Sequence, residues 1–219
     1  MTSPRKRVVV FISGGGSNML ALVAAAKDQD FPAEIVGVIS DKPDAGGLAK
    51  AAAEGIATFA FSRKDYASKE AHEEAIFAAL DALSPDILCL AGYMRLLSGA
   101  FIQRYEGKMI NIHPSLLPLF PGLHTHQRAI DAGMRIAGCT VHFVTEGMDE
   151  GPVIGQAAVP VLSDDTTDTL AARVLTVEHK IYPQALRLFA EGKVRMDGGK
   201  AVRTADASDA TATGAVISA

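Results

Sequence analysis

A chain of 219 residues is long enough to bury a large core without help from a metal or a disulfide. Hydrophobic residues make up 48% and charged residues 21%, the balance of an ordinary globular protein rather than of a disordered chain. The formal net charge of −4, with no long run of one sign, excludes the basic footprint by which nucleic-acid binders neutralise phosphates.

The basic start, residues 1–7, leads into Val8-Val9-Val10-Phe11-Ile12, a run too short for a membrane span and without a signal-peptide cleavage pattern. A cytoplasmic protein is expected. Strands are predicted at 7–13, 34–40, 58–61, 86–91 and 109–113, with helices at 17–28, 46–54, 68–83 and 98–105 between them. Runs apolar along their whole length belong to strands covered on both faces, and their alternation with helices gives parallel βαβ units. The expected architecture is an α/β, open doubly wound, mostly parallel sheet, whose ligands bind at the carboxyl ends of its strands. Cys89 and Cys139 sit inside such runs at a spacing that matches no zinc motif, and both are expected to be buried thiols in a reducing compartment.

The second half changes character. Pro114, Pro118, Pro121 and Gly122 break any helix and mark a loop. A short helix at 125–132, strands at 137–144 and 153–160, and a long helix at 167–191 capped by Asp165 or Thr166 follow. Residues 193–196 and 200–203 flank Asp197-Gly198-Gly199 and read as a hairpin. One domain is expected over 1–203, with 204–219 a mobile tail of Ala, Thr, Ser and Asp.

Ser13-Gly14-Gly15-Gly16-Ser17-Asn18 follows a strand and opens a helix. It reads either as a cradle for a phosphate at a helix N-terminus or as a tight turn in which Ser17 caps the helix. The dinucleotide fingerprint fails at Met19, and the Walker pattern fails outright. Further on, residues two apart on a strand share a face, so Asn111 and His113 point the same way, and Pro114 biases His113 toward extended backbone. Two polar side chains at a carboxyl-terminal strand end point to chemistry. Asp149 taken by itself reads first as a turn residue ahead of the next strand, and His142 reads equally as a structural residue or as a neighbour of the same pocket.

With these residues assembled, the sequence resembles the folate-dependent phosphoribosylglycinamide formyltransferase family. The resemblance is carried in order by Ser13-Gly-Gly-Gly-Ser-Asn18, Leu90-Ala-Gly-Tyr-Met-Arg-Leu-Leu97, Asn111-Ile-His-Pro-Ser-Leu-Leu-Pro118 and Pro121-Gly-Leu-His-Thr-His126. Val141-His-Phe-Val-Thr145, Asp149-Glu-Gly-Pro152 and Glu178-His-Lys-Ile-Tyr-Pro183 complete it. The Asn-x-His-x-Ser-Leu-Leu-Pro signature alone marks only the wider formyltransferase superfamily. Departures are Gly15, Lys69 where relatives often carry Arg, and Tyr93 where they often carry Phe.

The resemblance implies transfer of the formyl group of 10-formyltetrahydrofolate to the amine of glycinamide ribonucleotide in purine synthesis, without metal or covalent enzyme intermediate. It implies catalysis by Asn111, His113 and Asp149. Gly16, Ser17, Asn18 and Glu178 would hold the ribonucleotide. Lys69, Met94, Arg95, Leu96, Leu97, Asn111, Thr145, Glu146, Gly147, Met148 and Asp149 would surround the folate. Exchanging Arg for Lys at position 69 replaces a bidentate fork with a point charge. Glu178 would share the apolar face of its helix with Val174 and Ile181, where a carboxylate needs a partner such as ribose hydroxyls. The partners implied are small molecules, not nucleic acid or membrane, and a homodimer is left open. The rival readings are a formyltetrahydrofolate hydrolase, an initiator-tRNA formyltransferase and a non-catalytic nucleotide-binding module. The first would be expected to carry an amino-terminal regulatory domain and the second a basic surface with an added domain. The third does not account for Asn111, His113 and Asp149 together.

Overall fold

The computed structural model describes residues 4–204, so the expected tail, apart from Thr204, lies outside the described residues. The chain divides into two compact units, the first ending at Asn111 and the second beginning at Ile112.

The first unit alternates β1 (Lys6–Ile12), α1 (Ser17–Ala26), β2 (Ala33–Ser40), α2 (Gly46–Ala53), β3 (Ala57–Ala60), α3 (Lys69–Leu83), β4 (Ile87–Leu90), α4 (Gly99–Arg104) and β5 (Met109–His113). The strands are ordered β3-β2-β1-β4-β5 and every pairing among them is parallel. The cause is visible in β1: Val8 through Ile12 are all fully buried, so both strand faces are covered and the apolar run does not alternate. Strand order reverses where β1 lies beside β4, the place at which loops diverge and an open α/β sheet receives its ligands. Helix α3 starts where the Ser68 hydroxyl accepts from the Ala71 amide at 3.1 Å. Its His72, Ile76 and Leu80 recur at one-turn spacing and are buried. Burying Ile76 and Leu80 stabilises the unit by about 1.5–3 kcal/mol each.

The second unit takes up the last two residues of β5 and continues with α5 (Thr125–Asp131), β6 (Ile136–Phe143), β7 (Val153–Pro160), α6 (Thr167–Ala190), β8 (Val194–Asp197) and β9 (Lys200–Arg203). Strands β6 and β7 are antiparallel, as are β8 and β9. Leu170 and Val174 of α6 pack with Cys139 of β6 and Val159 of β7 in one buried cluster. Thr166, not Asp165, caps α6: its hydroxyl accepts from the Thr169 amide at 3.2 Å, and Thr169 Oγ1 accepts from the Thr166 amide at 2.9 Å. The Asp165 carboxylate instead accepts from the Leu162 amide at 2.7 Å and from both terminal nitrogens of Arg173. The mostly parallel α/β sheet, the long carboxyl-terminal helix and the hairpin all match the expectation from sequence. Among the described residues no helix is long and apolar enough to cross a membrane.

Candidate active site

Strand alternation places Asn111 and His113 on one face of β5, and the loop that follows folds back over His113. The His113 ring is buried, with Nε2 3.0 Å from the Phe120 carbonyl and Nδ1 3.3 Å from Asp149 Oδ2. A carbonyl only accepts, so Nε2 carries a proton. A second proton on Nδ1 would donate to Asp149 and satisfy both partners at once. Asp149 is itself fixed: its Oδ2 accepts from the Gly122 amide at 2.8 Å, and its backbone sits in the left-handed region at φ 57°. Phe120 and His124 share that unusual conformation at φ 55° and 59°. Such positions cost of order 1–3 kcal/mol each and cluster at functional sites.

His142 is buried beside the same carboxylate. Its Nδ1 donates to the Phe143 carbonyl at 2.8 Å, which leaves Nε2 3.8 Å from Asp149 Oδ1, so one carboxylate stands between two imidazoles. Gly151 makes this possible: a Cβ there would lie 1.7 Å from the Phe143 oxygen and 3.3 Å from His142 Nδ1. The loop after His113 is tied down by buried Thr140. Its hydroxyl donates to the Ser115 carbonyl at 2.7 Å and accepts from the Leu117 amide at 3.0 Å and from Gln156 Nε2 at 2.9 Å.

Burial, reinforced by the charge on His113, holds the His126 imidazole below its ordinary value of 6.5. Burial is likewise the first cause for His142, with the Phe143 carbonyl and Asp149 acting the other way and His113 adding to the depression. Both rings therefore stay neutral in the fold at pH values where the unfolded chain already takes up protons. The stability tied to their neutrality is full above about 6.5 and is lost as pH falls toward the folded-state values. Urea midpoints at about pH 7.5 and 5.5 check this: wild type is expected to weaken at the lower pH, and His126→Gln to weaken less. An equal fall in both proteins would contradict it.

In the first unit, Gly16 is the N-cap of α1 at φ 70°, and no side chain caps this helix, so Ser17 does not play the capping role that one sequence reading gave it. A Cβ on Gly16 would meet the Gly47 backbone at 3.0 Å, and the Gly47 amide donates to the Gly14 carbonyl at 3.0 Å. The glycines thus let loop and α2 touch, leaving Ser17 and Asn18 in the first turn of α1. The same unit holds a cavity of about 440 Å³ lined by Lys69, Tyr93 and residues 94–97, with Arg63, His72, Glu73 and Ile76. Met94 and Leu96 are 66% and 69% exposed, an unusual amount of apolar surface for one short segment. Buried Glu73, which sequence reasoning missed, anchors the segment's end by accepting from both the amide and the hydroxyl of Ser98.

The remaining predicted residues fall in the second unit. Thr145, Glu146, Gly147 and Met148 form the turn that delivers Asp149, and Met148 is 53% exposed. Glu178 is buried on α6 together with Val174, as its spacing predicted. Burial first, and the Glu178 charge second, push the Cys139 thiol up to about 12, which leaves it an inert core group. Among the described residues no cluster of His, Cys, Asp and Glu is arranged to hold a metal ion.

A family model described as formyl transferase matches residues 6–186. The phosphoribosylglycinamide formyltransferase of Escherichia coli is 46% identical over 189 residues, covering 86% of this chain and 89% of that protein. The trifunctional purine biosynthetic protein adenosine-3 of Bos taurus is 50% identical over 194 residues, 88% of this chain, which span only 19% of that longer protein. Among solved structures, the phosphoribosylglycinamide formyltransferase from Brucella melitensis is 65% identical with a TM-score of 0.85, covering 98% of this chain and 100% of that one.

Proposed function

This chain belongs to the formyl transferase family, and from that premise we propose that it transfers the formyl group of 10-formyltetrahydrofolate to the amine of glycinamide ribonucleotide, as part of purine biosynthesis. The observation that carries the reading is the Asp149 carboxylate 3.3 Å from His113 Nδ1, on a strand that also presents Asn111. That pair suits a reaction in which negative charge develops on an oxygen. No serine or cysteine nucleophile is invoked, because the amine of the ribonucleotide is the nucleophile.

The amine attacks the formyl carbon, a C–N bond forms, and the carbonyl oxygen takes the electron pair. Asn111 and the His113 Nε2–H donate to that oxygen, and preorganised donors act most where charge develops. In this structure the same N–H is held by the Phe120 carbonyl, so serving the oxyanion requires the loop to release or share it. Asp149 orients the imidazole, supports its positive charge and carries the proton lost by the amine toward the departing folate nitrogen. The carbon–nitrogen bond to the carrier then breaks. The exposed side chains of Met94 and Leu96 beside the Lys69 ammonium fit a flat aromatic body with an anionic tail. Gly16, Ser17 and Asn18 at the opening of α1 offer amide donors and a helix N-terminus to the phosphate. Glu178 accepts from the ribose hydroxyls. The enzyme so described works on small molecules in the cytoplasm.

Incubation with formyl-labelled folate tests this. Label is expected in the ribonucleotide product, and label loss is expected only when glycinamide ribonucleotide is present. Release of free formate in its absence would favour the hydrolase reading. The ribonucleotide subsite is tested separately: Asn18→Ala and Glu178→Gln are expected to weaken ribonucleotide binding while a folate analogue binds nearly as before. Equal loss of both ligands would place these residues outside a dedicated subsite.

A further inference from the structure

We infer that Ser13 and Asp41 are positioning residues that couple the glycine loop to the 94–97 segment, so that ribonucleotide and folate bind cooperatively. This rests on the assignment of those two segments to the two substrates. Strands β1 and β4 are the neighbours at which strand order reverses, and the two segments leave their carboxyl ends. Ser13 is the first residue beyond β1. Its amide donates to the Gly92 carbonyl at 3.1 Å, just beyond β4. Its hydroxyl accepts from the Met94 amide at 2.8 Å and donates to Asp41 Oδ1.

A hydroxyl has one proton, and the carboxylate takes it, so the Met94 amide meets a lone pair and the direction of both bonds is fixed. Ser13 is 5% exposed and the Asp41 side chain 7%, so the chain of bonds lies in a poorly solvated place where losing one member is costly. Asp41 continues the chain: its Oδ2 lies 3.6 Å from Arg95 Nε, a buried nitrogen with no hydrogen-bond partner. Charge, and not a hydrogen bond, therefore draws Arg95 to this point. On the other side, the adjacent Gly14 carbonyl receives the Gly47 amide and the Gly15 carbonyl receives Lys50 Nζ at 2.9 Å. The glycine loop is thus held to α2 at its middle and to the 92–94 backbone at its start. A tight turn requires no hydroxyl and no carboxylate at its entrance.

The consequence is thermodynamic. A phosphate that orders the glycine loop also fixes Ser13, hence the Met94 amide and Arg95, and the folate then binds a segment that is already in place. Linkage makes the effect reciprocal, and couplings of this kind amount to about 5–150-fold in affinity.

Calorimetric titration of the full chain with a deazafolate lacking the formyl group, with and without saturating glycinamide ribonucleotide, reads the coupling directly. Wild type is expected to bind the deazafolate about fivefold or more tightly with the ribonucleotide present. Ser13→Ala is expected to bind each ligand alone but to lose most of that enhancement, and Ser13→Thr, which keeps the hydroxyl, to restore it. Asp41→Ala removes the acceptor without touching the loop and is expected to behave as Ser13→Ala does, so the test survives if one variant misfolds. Undiminished coupling in Ser13→Ala or Asp41→Ala, or independent binding in wild type, overturns the inference while leaving the proposed reaction standing. Failure of wild type to bind either ligand overturns both.

Discussion

His113→Ala is expected to lower kcat by ~10²–10³ while changing KM for either substrate little, the loss that follows removal of one donor to a developing oxyanion. The donor acts only on charge that exists in the transition state, so its removal weakens that state and not the ground-state complexes. Asn111→Ala, from the same face of β5, is expected to fall in the same direction. The double variant should lose less than the product of the two, because groups that act as a unit are not additive. The alanine at 113 leaves the Phe120 carbonyl without its donor, but Asp149 keeps the Gly122 amide at 2.8 Å. Circular dichroism should therefore show a folded protein. Near-normal turnover by both folded single variants would remove them from the chemistry.

Asp149→Asn is expected to lower kcat by ~10²–10⁴, the range for loss of a positioned proton-transfer group. The substitution isolates charge. Asn tolerates the left-handed backbone observed at φ 57°, and its side-chain oxygen can still accept from Gly122. What disappears is the negative charge between His113 and His142, and with it the support for an imidazolium and the acceptor for the amine proton. The pH–rate profile should change with it. An unchanged kcat and an unchanged profile would mean that Asp149 serves only the loop, through Gly122. A formyl group trapped on Asp149 in the wild type would contradict direct transfer altogether.

The parts of the fold that depend on local pattern were legible. Val8 through Ile12 announce a strand covered on both faces because no residue in the run is polar, and the Asp197-Gly198-Gly199 turn announces the hairpin. Helix ends were less legible: Asp165 and Thr166 are both competent caps, and only the bidentate demand of Arg173 on Asp165 decides between them. In the candidate site, alternation alone sets Asn111 beside His113. Nothing local says that Asp149 reaches back to His113 across 35 intervening positions, since an Asp in a turn carries the same signature whether or not its carboxylate is aimed at a ring. The resemblance groups the two, with Asn111, as catalytic residues. The supporting contacts were invisible for the same reason. Glu73 with Ser98, Thr140 with Ser115 and Leu117, and Ser13 with Asp41 and Met94 are long-range hydrogen bonds between residue types common on any surface. His142 stood between the two cases: alternation along β6 allowed it to face the pocket, but the short bond from Nδ1 to its neighbour's carbonyl is what turns Nε2 toward Asp149.

The central claim is that the His113 Nε2–H, now held by the Phe120 carbonyl at 3.0 Å, passes to the formyl oxygen during transfer. A crystal structure with glycinamide ribonucleotide and a non-transferable formyl-folate analogue bound together tests it most directly. The account predicts the formyl oxygen within about 3.2 Å of both His113 Nε2 and the Asn111 side-chain amide, with the Phe120 carbonyl withdrawn and the ribonucleotide amine facing the formyl carbon. A ternary complex in which His113 still donates to Phe120, while the formyl oxygen points to other donors, would contradict it.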